Sequence, residues 1–81
     1  MSEQRVESGQ LWIDNDLRNS RGTRYVMVTS VGDTHAVCES WYEHGGGHSR
    51  TVRIRLDRFR PTSTGYRRAH PEESRRQGVE P

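Results

Sequence analysis

The stretch of residues 50–60, RTVRIRLDRFR, concentrates the side chains that could do chemistry in this chain. Its arginines alternate with apolar residues, and in a strand the two kinds of side chain fall on opposite faces. Guanidinium groups bind phosphate and carboxylate oxygens by charge and by paired hydrogen bonds. An outward arginine face therefore predicts an anionic ligand, with nucleic acid as the first candidate. The predicted contact residues are Arg50, Arg53, Arg55, Arg58 and Arg60.

Positive charge is concentrated around this stretch. The chain of 81 residues carries a formal net charge of +2, but residues 50–68 hold seven arginines against the single acidic residue Asp57. Residues 1–49 hold four arginines against seven acidic residues. The alternative interpretation is that the arginines form an ordinary solvated surface, neutralised by carboxylates of the first half. Those carboxylates are Asp14, Asp16, Asp33, Glu39 and Glu43.

Two neighbouring aromatic residues bear on the choice between these interpretations. Trp41 and Tyr42 are adjacent, so their rings point to opposite faces if the strand continues through both. The outward ring is a candidate platform on which an unpaired base could stack. The competing interpretation is that this ring packs under the glycine-rich loop or against an arginine stem. Trp41 and Tyr42 complete the predicted nucleic-acid-binding set.

Other reactive residue types do not form a recognisable site in the sequence. His44 and His48 have a spacing seen in metal sites, and Cys38 or His35 could join them, but a glycine-rich loop fixes no ligand geometry. Asp14 and Asp16 predict an Asx-type turn rather than a catalytic pair of carboxylates. No nucleophile and base set is recognisable. The sequence therefore predicts a non-catalytic protein with no metal and no cofactor.

The elements that position these residues are predicted to be strands. Segments rich in β-branched and aromatic residues recur about every ten residues and are separated by Gly, Asp and Asn. A helical turn at residues 57–59, ended by Pro61, would return Phe59 to the core. The fold class is all-β, a small SH3-like barrel or rolled sheet of about five strands. The predicted strands are 9–13, 24–31, 34–42, 50–56 and a brief final strand within 62–67, with loops at 15–22 and 43–49.

Length and composition limit the organisation of the chain to one small domain. Only 28% of the residues are hydrophobic, and both ends are poor in large apolar side chains. We expect a disordered N-terminus at 1–8, a β domain at 9–68 and a disordered tail at 69–81. The one cysteine predicts no internal disulfide and packs as a small apolar residue. No apolar stretch is long enough to cross a bilayer, so we expect a soluble cytoplasmic protein.

Three blocks of the sequence carry a resemblance: GQLWIDNDLR, VGDTHAVCESW and TVRIRLDRFRPTSTGYR. Together they resemble a family of short uncharacterised proteins of actinobacteria and their bacteriophages, over about residues 9–67. The resemblance implies such an origin, a compact β domain and, for a phage protein, the host bacterial cytoplasm. It implies no activity. All thirteen basic residues are arginine, which agrees with a GC-rich genome.

These observations predict a small binding module that associates weakly with DNA or RNA through its arginine strand. The alternative is a phage-encoded interaction factor that docks on a host protein through an exposed sheet edge or the patch around Trp41. Homodimerisation through the same edge is a third possibility, so we expect a monomer or a homodimer. No association with a membrane is predicted.

Overall fold

The structure is a computed structural model that describes residues 5–16, 22–44 and 47–79. Parts of four predicted segments lie outside the described residues. These are residues 1–4 of the N-terminal segment, 17–21 of the first loop, 45–46 of the glycine-rich loop and 80–81 of the C-terminal tail.

In the described residues five antiparallel strands form one sheet, which confirms the all-β prediction and the expected number of about five strands. Their order across the sheet is β4-β3-β2-β1-β5, so β4 and β5 are its two edges. A 3-10 turn at Leu56–Arg58 follows the fourth strand, close to the helical turn predicted at 57–59. The strands are β1 (Leu11–Asp14), β2 (Arg24–Val31), β3 (His35–Tyr42), β4 (Arg50–Arg55) and β5 (Tyr66–Arg68).

The sheet does not close, so the barrel alternative is wrong for the described residues, in which β4 and β5 do not pair. Between the two edges the chain folds into tight turns, with the N–H of Thr62 donating to Arg60 and that of Gly65 donating to Thr62. A Cβ at Gly65 would overlap the carbonyl oxygen of Arg60, which shows how closely this segment packs on itself. The three residues of β5 pair with β1 on one side, and their other side forms no ladder with β4.

One face of the sheet packs on a first apolar cluster. Phe59 reaches it directly after the 3-10 turn, as the sequence predicts, and its ring meets Trp12 edge-on with centroids 5.0 Å apart. Cys38 is buried in this cluster, as expected for a thiol that packs as an apolar group. The buried members are Trp12, Val26, Val28, Ala36, Cys38, Ile54, Phe59 and Tyr66.

The opposite face carries a second apolar cluster beside the helix α1 (Pro71–Arg76). Residues 69–79, for which the sequence predicts a disordered tail, contain this helix and the buried side chains of Ala69 and Ser74. Polar contacts hold the segment in place together with Val79, which packs against the cluster. Glu73 accepts hydrogen bonds from Arg67 and from the His70 backbone, and Gln77 accepts one from the indole of Trp41. The cluster comprises Leu11, Ile13, Tyr25 and Ala69, with Met27, Trp41 and Val79 packed against it.

Within the part of the chain that the structure describes, no helix has the length and apolar character needed to cross a membrane.

Candidate functional site

The side chains of β4 alternate between the two faces of the sheet, as the sequence predicts. Ile54 is buried in the first apolar cluster, and Val52 packs against that cluster. Arg53 and Arg55 are exposed on the opposite face. By alternation Arg50 falls on the same face of β4 as Val52 and Ile54, but it is exposed because it lies at the end of the strand. The arginines of β4 therefore flank the strand on both sides rather than forming one stripe.

The backbone of β4 also presents unpaired groups at the edge of the sheet. The N–H of Leu56 donates to the carbonyl of Thr34 at 2.9 Å, in the same register that pairs Arg55 with His35. Hydrogen-bonded and non-hydrogen-bonded pairs alternate along an antiparallel ladder, so the even-numbered residues of β4 bond to β3. The N–H and C=O groups of Thr51, Arg53 and Arg55 therefore point away from β3, along the free edge.

Most of the predicted contact arginines have no acidic partner in the part of the chain that the structure describes. Arg55 lies 3.3 Å from Asp57, and both side chains are more than half exposed, so this pair holds them only weakly. Arg58 donates to the carbonyl oxygen of Thr64 at 2.7 Å, which leaves its charge uncompensated. Among the described residues, no carboxylate lies within 4.0 Å of Arg50, Arg53 or Arg60.

The carboxylates of the first half have other partners. Asp14 pairs with Arg24, Glu39 accepts a hydrogen bond of 2.6 Å from Thr51, and Glu43 lies 3.5 Å from His44. These three carboxylates therefore do not neutralise the five predicted contact arginines by direct pairing.

Two grooves lie along β4, and side chains from both faces of the strand line them. One, of about 520 Å³, lies at the start of the strand, and the other, of about 360 Å³, lies at its end. They share Arg24 and Val52, and Tyr66 of β5 lines the second. We call the two grooves together the basic channel, because none of its described lining residues is acidic. Its basic lining residues, counting histidine, are Arg24, His35, His48, Arg50, Arg53, Arg55 and Arg58.

Arg24 lies where the two grooves meet and is held in one orientation. Its Nε donates to Ser40 Oγ at 2.9 Å, and its Nη1 donates to the Tyr66 hydroxyl at 2.8 Å and to Asp14 at 3.3 Å. Burial works to lower the pKa of Arg24, but Tyr66 and Asp14 more than offset it and raise that pKa above its usual range. The arginine therefore stays charged at the floor of the channel.

Neither Arg24 nor Tyr66 belongs to the sequence-predicted site. The alternation of side chains in β2 could have identified Arg24. It lies on the same face as Val26 and Val28, so it places a charge on the core-facing side of the strand. No comparable signal marked Tyr66, because the sequence does not show that β5 lies across a gap from β4. Burial raises the pKa of Tyr66, so its hydroxyl remains a proton donor near neutral pH.

The structure gives the two neighbouring aromatic residues different surroundings. The ring of Trp41 stacks on Tyr25 with centroids 5.9 Å apart, and its Nε1 donates to Gln77 at 3.0 Å. Trp41 thus packs as a structural residue, against Tyr25 and the C-terminal segment rather than under the glycine-rich loop. Tyr42 lies on the same face of β3 as Ser40. It is half-buried and lines the first groove beside Arg50. Trp41 lines the first groove as well, but it packs against the second apolar cluster, whereas Tyr42 lies on the other face of β3.

Other candidate chemistry is not assembled in the described residues. The backbone N–H of Asp16 donates to Asp14 Oδ1 at 2.9 Å, which confirms the predicted Asx-type turn. Burial raises the pKa of Cys38 to about 11, so the thiol stays protonated and unreactive at neutral pH. Within the described ranges no three His, Cys, Asp or Glu side chains are grouped so that they could hold a metal ion.

Comparison with known proteins gives a family but no activity. A family model described as a family of unknown function, DUF6354, matches residues 1–70. The match ends directly before α1, so it covers the sheet and the whole basic channel. No curated protein and no solved structure matches the chain significantly.

Proposed function

Since the chain belongs to DUF6354, a family of unknown function, we propose from its geometry that it is a small non-catalytic module that binds nucleic acid through the arginines of β4 and the following turn. One observation carries the proposal: Arg50, Arg53, Arg55 and Arg58 border a channel whose described lining contains no acidic residue, and Arg60 follows them in the chain. Like charges that are only partly compensated repel one another, and a polyanion relieves that repulsion. The residues assigned to phosphate contact are Arg50, Arg53, Arg55, Arg58 and Arg60.

The character of the arginine side chains supports a phosphate ligand. Arg53 and Arg55 are two residues apart on an extended strand, which separates their Cα atoms by roughly 7 Å. Each guanidinium can form paired hydrogen bonds with phosphate oxygens. Such contacts follow a backbone and carry little sequence information, so the proposed binding is weak, salt-dependent and largely independent of sequence.

The topology supports a binding role of the kind seen in SH3-like proteins. The described sheet has a four-strand meander, a 3-10 turn and a short last strand that pairs with the first. Small SH3-like barrels combine similar elements, although this sheet stays open. We therefore propose an SH3-like relationship. An actinobacterial or phage origin also remains a proposal, supported by the use of arginine at all thirteen basic positions.

A salt titration with matched variants tests the proposed function. Fluorescence anisotropy measures the affinity for a labelled oligonucleotide between about 50 and about 200 mM salt. We expect affinity to fall steeply, and the double variant Arg53→Gln, Arg55→Gln to lower the slope of log K against log salt by about 0.7 to 0.9 per arginine.

The control removes the same charge from another place. Arg75→Gln with Arg76→Gln deletes two exposed arginines of α1, away from the channel, and should leave affinity and slope nearly unchanged. Equal losses for the two double variants would indicate a net-charge effect and contradict the assignment to β4. Absence of binding at the lowest salt concentration would remove the proposed function.

A second candidate rests on the free edge of β4. Its unpaired backbone groups could add a strand from a host protein, and the arginines would then favour an acidic partner. Capture from host lysate before and after nuclease treatment separates the two functions. A protein that stays bound after nuclease would favour this second candidate, whereas loss of all captured material favours nucleic acid.

A further inference from the structure

We infer that the ligand is single-stranded rather than duplex nucleic acid, and that one unpaired base enters the first groove of the basic channel against Tyr42. The inference rests on the proposed function and specifies its ligand. It concerns two residues outside the arginine strand, Tyr42 and Arg24. It also concerns the gap between the two edges of the sheet.

The size and position of the grooves favour an unpaired strand. The first groove, of about 520 Å³, and the second, of about 360 Å³, lie within the range of roughly 300 to 1,000 Å³ found for sites that take a small molecule. A single base with its sugar can enter such a space. A duplex keeps its bases stacked inside and offers a groove of this size only its outer phosphates.

The walls of the first groove combine the contacts that an unpaired base needs. The half-buried ring of Tyr42 and the side chain of Val52 give apolar surface for a base, and Ser40 and His48 add polar groups. Arg50 stands exposed beside them and can reach a phosphate attached to the same nucleotide. Aromatic stacking tolerates any base, which suits binding without strong sequence preference.

Arg24 gives the channel a fixed charge at its centre. Three protein acceptors hold its Nε and Nη1, so the group cannot swing out to an exterior backbone as a surface arginine can. Only a ligand that enters the gap between β4 and β5 can approach it. Asp14, which partly compensates it, is mostly buried and does not line either groove. The positive field in the gap therefore favours a strand that lies within the channel.

The free edge of β4 adds backbone donors and acceptors along the same path. Thr51, Arg53 and Arg55 direct their N–H and C=O groups away from β3, and Tyr66 of β5 lines the second groove together with β4 residues. A single strand in the gap can use these groups for both phosphate and base edges. A rigid duplex resting on the exterior would leave them in water.

Anisotropy with one labelled strand, alone and annealed to its complement, tests the inference. The probe is oligothymidylate of about 12 nucleotides, within the usual site size for small single-strand binders. At one low salt concentration we expect the single strand to bind at least about tenfold more tightly than the duplex. Equal or tighter binding of the duplex would overturn the inference while leaving the proposed function intact. Failure of both probes to bind would remove the proposed function itself.

Variants at Tyr42 identify the stacking contact. Tyr42→Ala should weaken single-strand binding by roughly tenfold, with little effect on the duplex, whereas Tyr42→Phe should keep most of the affinity because the ring remains. Equal losses for the single strand and the duplex would overturn the role of the ring.

Arg50→Gln provides an independent check at an exposed position where the fold does not depend on the side chain. It should weaken single-strand binding more than Arg75→Gln does, although the two variants remove the same charge. Equal effects would overturn the placement of the strand beside the first groove.

Discussion

At the scale of single residues, Arg24 is the clearest case of one side chain serving both the fold and the channel. It ties β2 to β3 through Ser40 and to β1 and β5 through Asp14 and Tyr66. Its side chain is only 19% exposed and that of Asp14 only 11%, so removal of the guanidinium would leave a buried carboxylate without its partner. An uncompensated buried charge destabilises a protein far more than a lost surface pair.

We expect Arg24→Gln to lower the free energy of unfolding by about 2 to 4 kcal/mol. Asp14→Asn in the same chain should restore part of that loss, because it removes the uncompensated carboxylate. Urea unfolding of both single variants and the double variant measures the coupling. Arg53→Gln is the matched control at an exposed position and should change stability by less than about 0.5 kcal/mol. An Arg24→Gln protein as stable as the parent would contradict this account of the channel floor.

At the scale of elements, the strands were predictable and the helix was not. Alternation of apolar and polar residues in RYVMVTSV and RTVRIR marks strands that bury one face, and it also predicts the outward position of Arg53 and Arg55. The helix α1 carries no apolar stripe. It is held by the Arg67 and Glu73 pair and by the bond between Trp41 and Gln77, which join residues of separate elements and leave no periodic pattern.

The docking of α1 predicts a specific pH dependence. Hydrogen bonds from Arg67 lower the pKa of Glu73 from 4.5 to about 2. Burial opposes this shift, and the hydrogen bond from the His70 backbone N–H adds to it. A carboxyl whose folded pKa is depressed stabilises the fold above its unfolded pKa, and that contribution is lost as pH falls toward the folded value. The stabilising effect of Glu73 should therefore be complete above about pH 5 and fade between pH 4.5 and about 2.

Comparison of two adjacent glutamates checks this contribution. Glu73→Gln should lower stability by roughly 1 kcal/mol at pH 7, since the pair is partly exposed, and should make little difference near pH 2. Glu72→Gln is the control, because that side chain is 79% exposed and lies 3.9 Å from Arg76. Thermal unfolding of the three proteins at several pH values gives the measurement. A Glu73→Gln effect that is the same at pH 7 and pH 2 would contradict the assignment.

At the scale of the whole molecule, the open sheet with its free β4 edge could not be predicted from the sequence. The strand pattern fits either a closed barrel or an open sheet, because closure depends on how the segment 59–65 turns between the two edge strands. The same gap brings Arg24 and Tyr66 beside the arginines of β4, which lie far from Arg24 in the chain. The arginines of β4 could therefore be predicted from the sequence, whereas the channel that they form with Arg24 and Tyr66 could not.

The charges on the free edge also predict the oligomeric state. Two copies paired antiparallel through β4 would place the arginine side chains of one strand opposite those of the other, and like charges directly opposite are destabilising. We expect a monomer in sedimentation velocity at low salt across a wide range of protein concentration. A dimer that forms at low salt would contradict this expectation, whereas weak association appearing only at high salt would agree with screening of the arginines.

We propose that a single nucleic acid strand occupies the channel between β4 and β5. Amide chemical shifts recorded by NMR during titration with oligothymidylate test this proposal most directly. The account predicts that the largest shifts fall on residues 50–60, on Arg24 and Tyr42, and on Tyr66, while the amides of residues 71–79 change little. Largest shifts over α1 and the second apolar cluster, or shifts spread evenly over all exposed arginines, would contradict it.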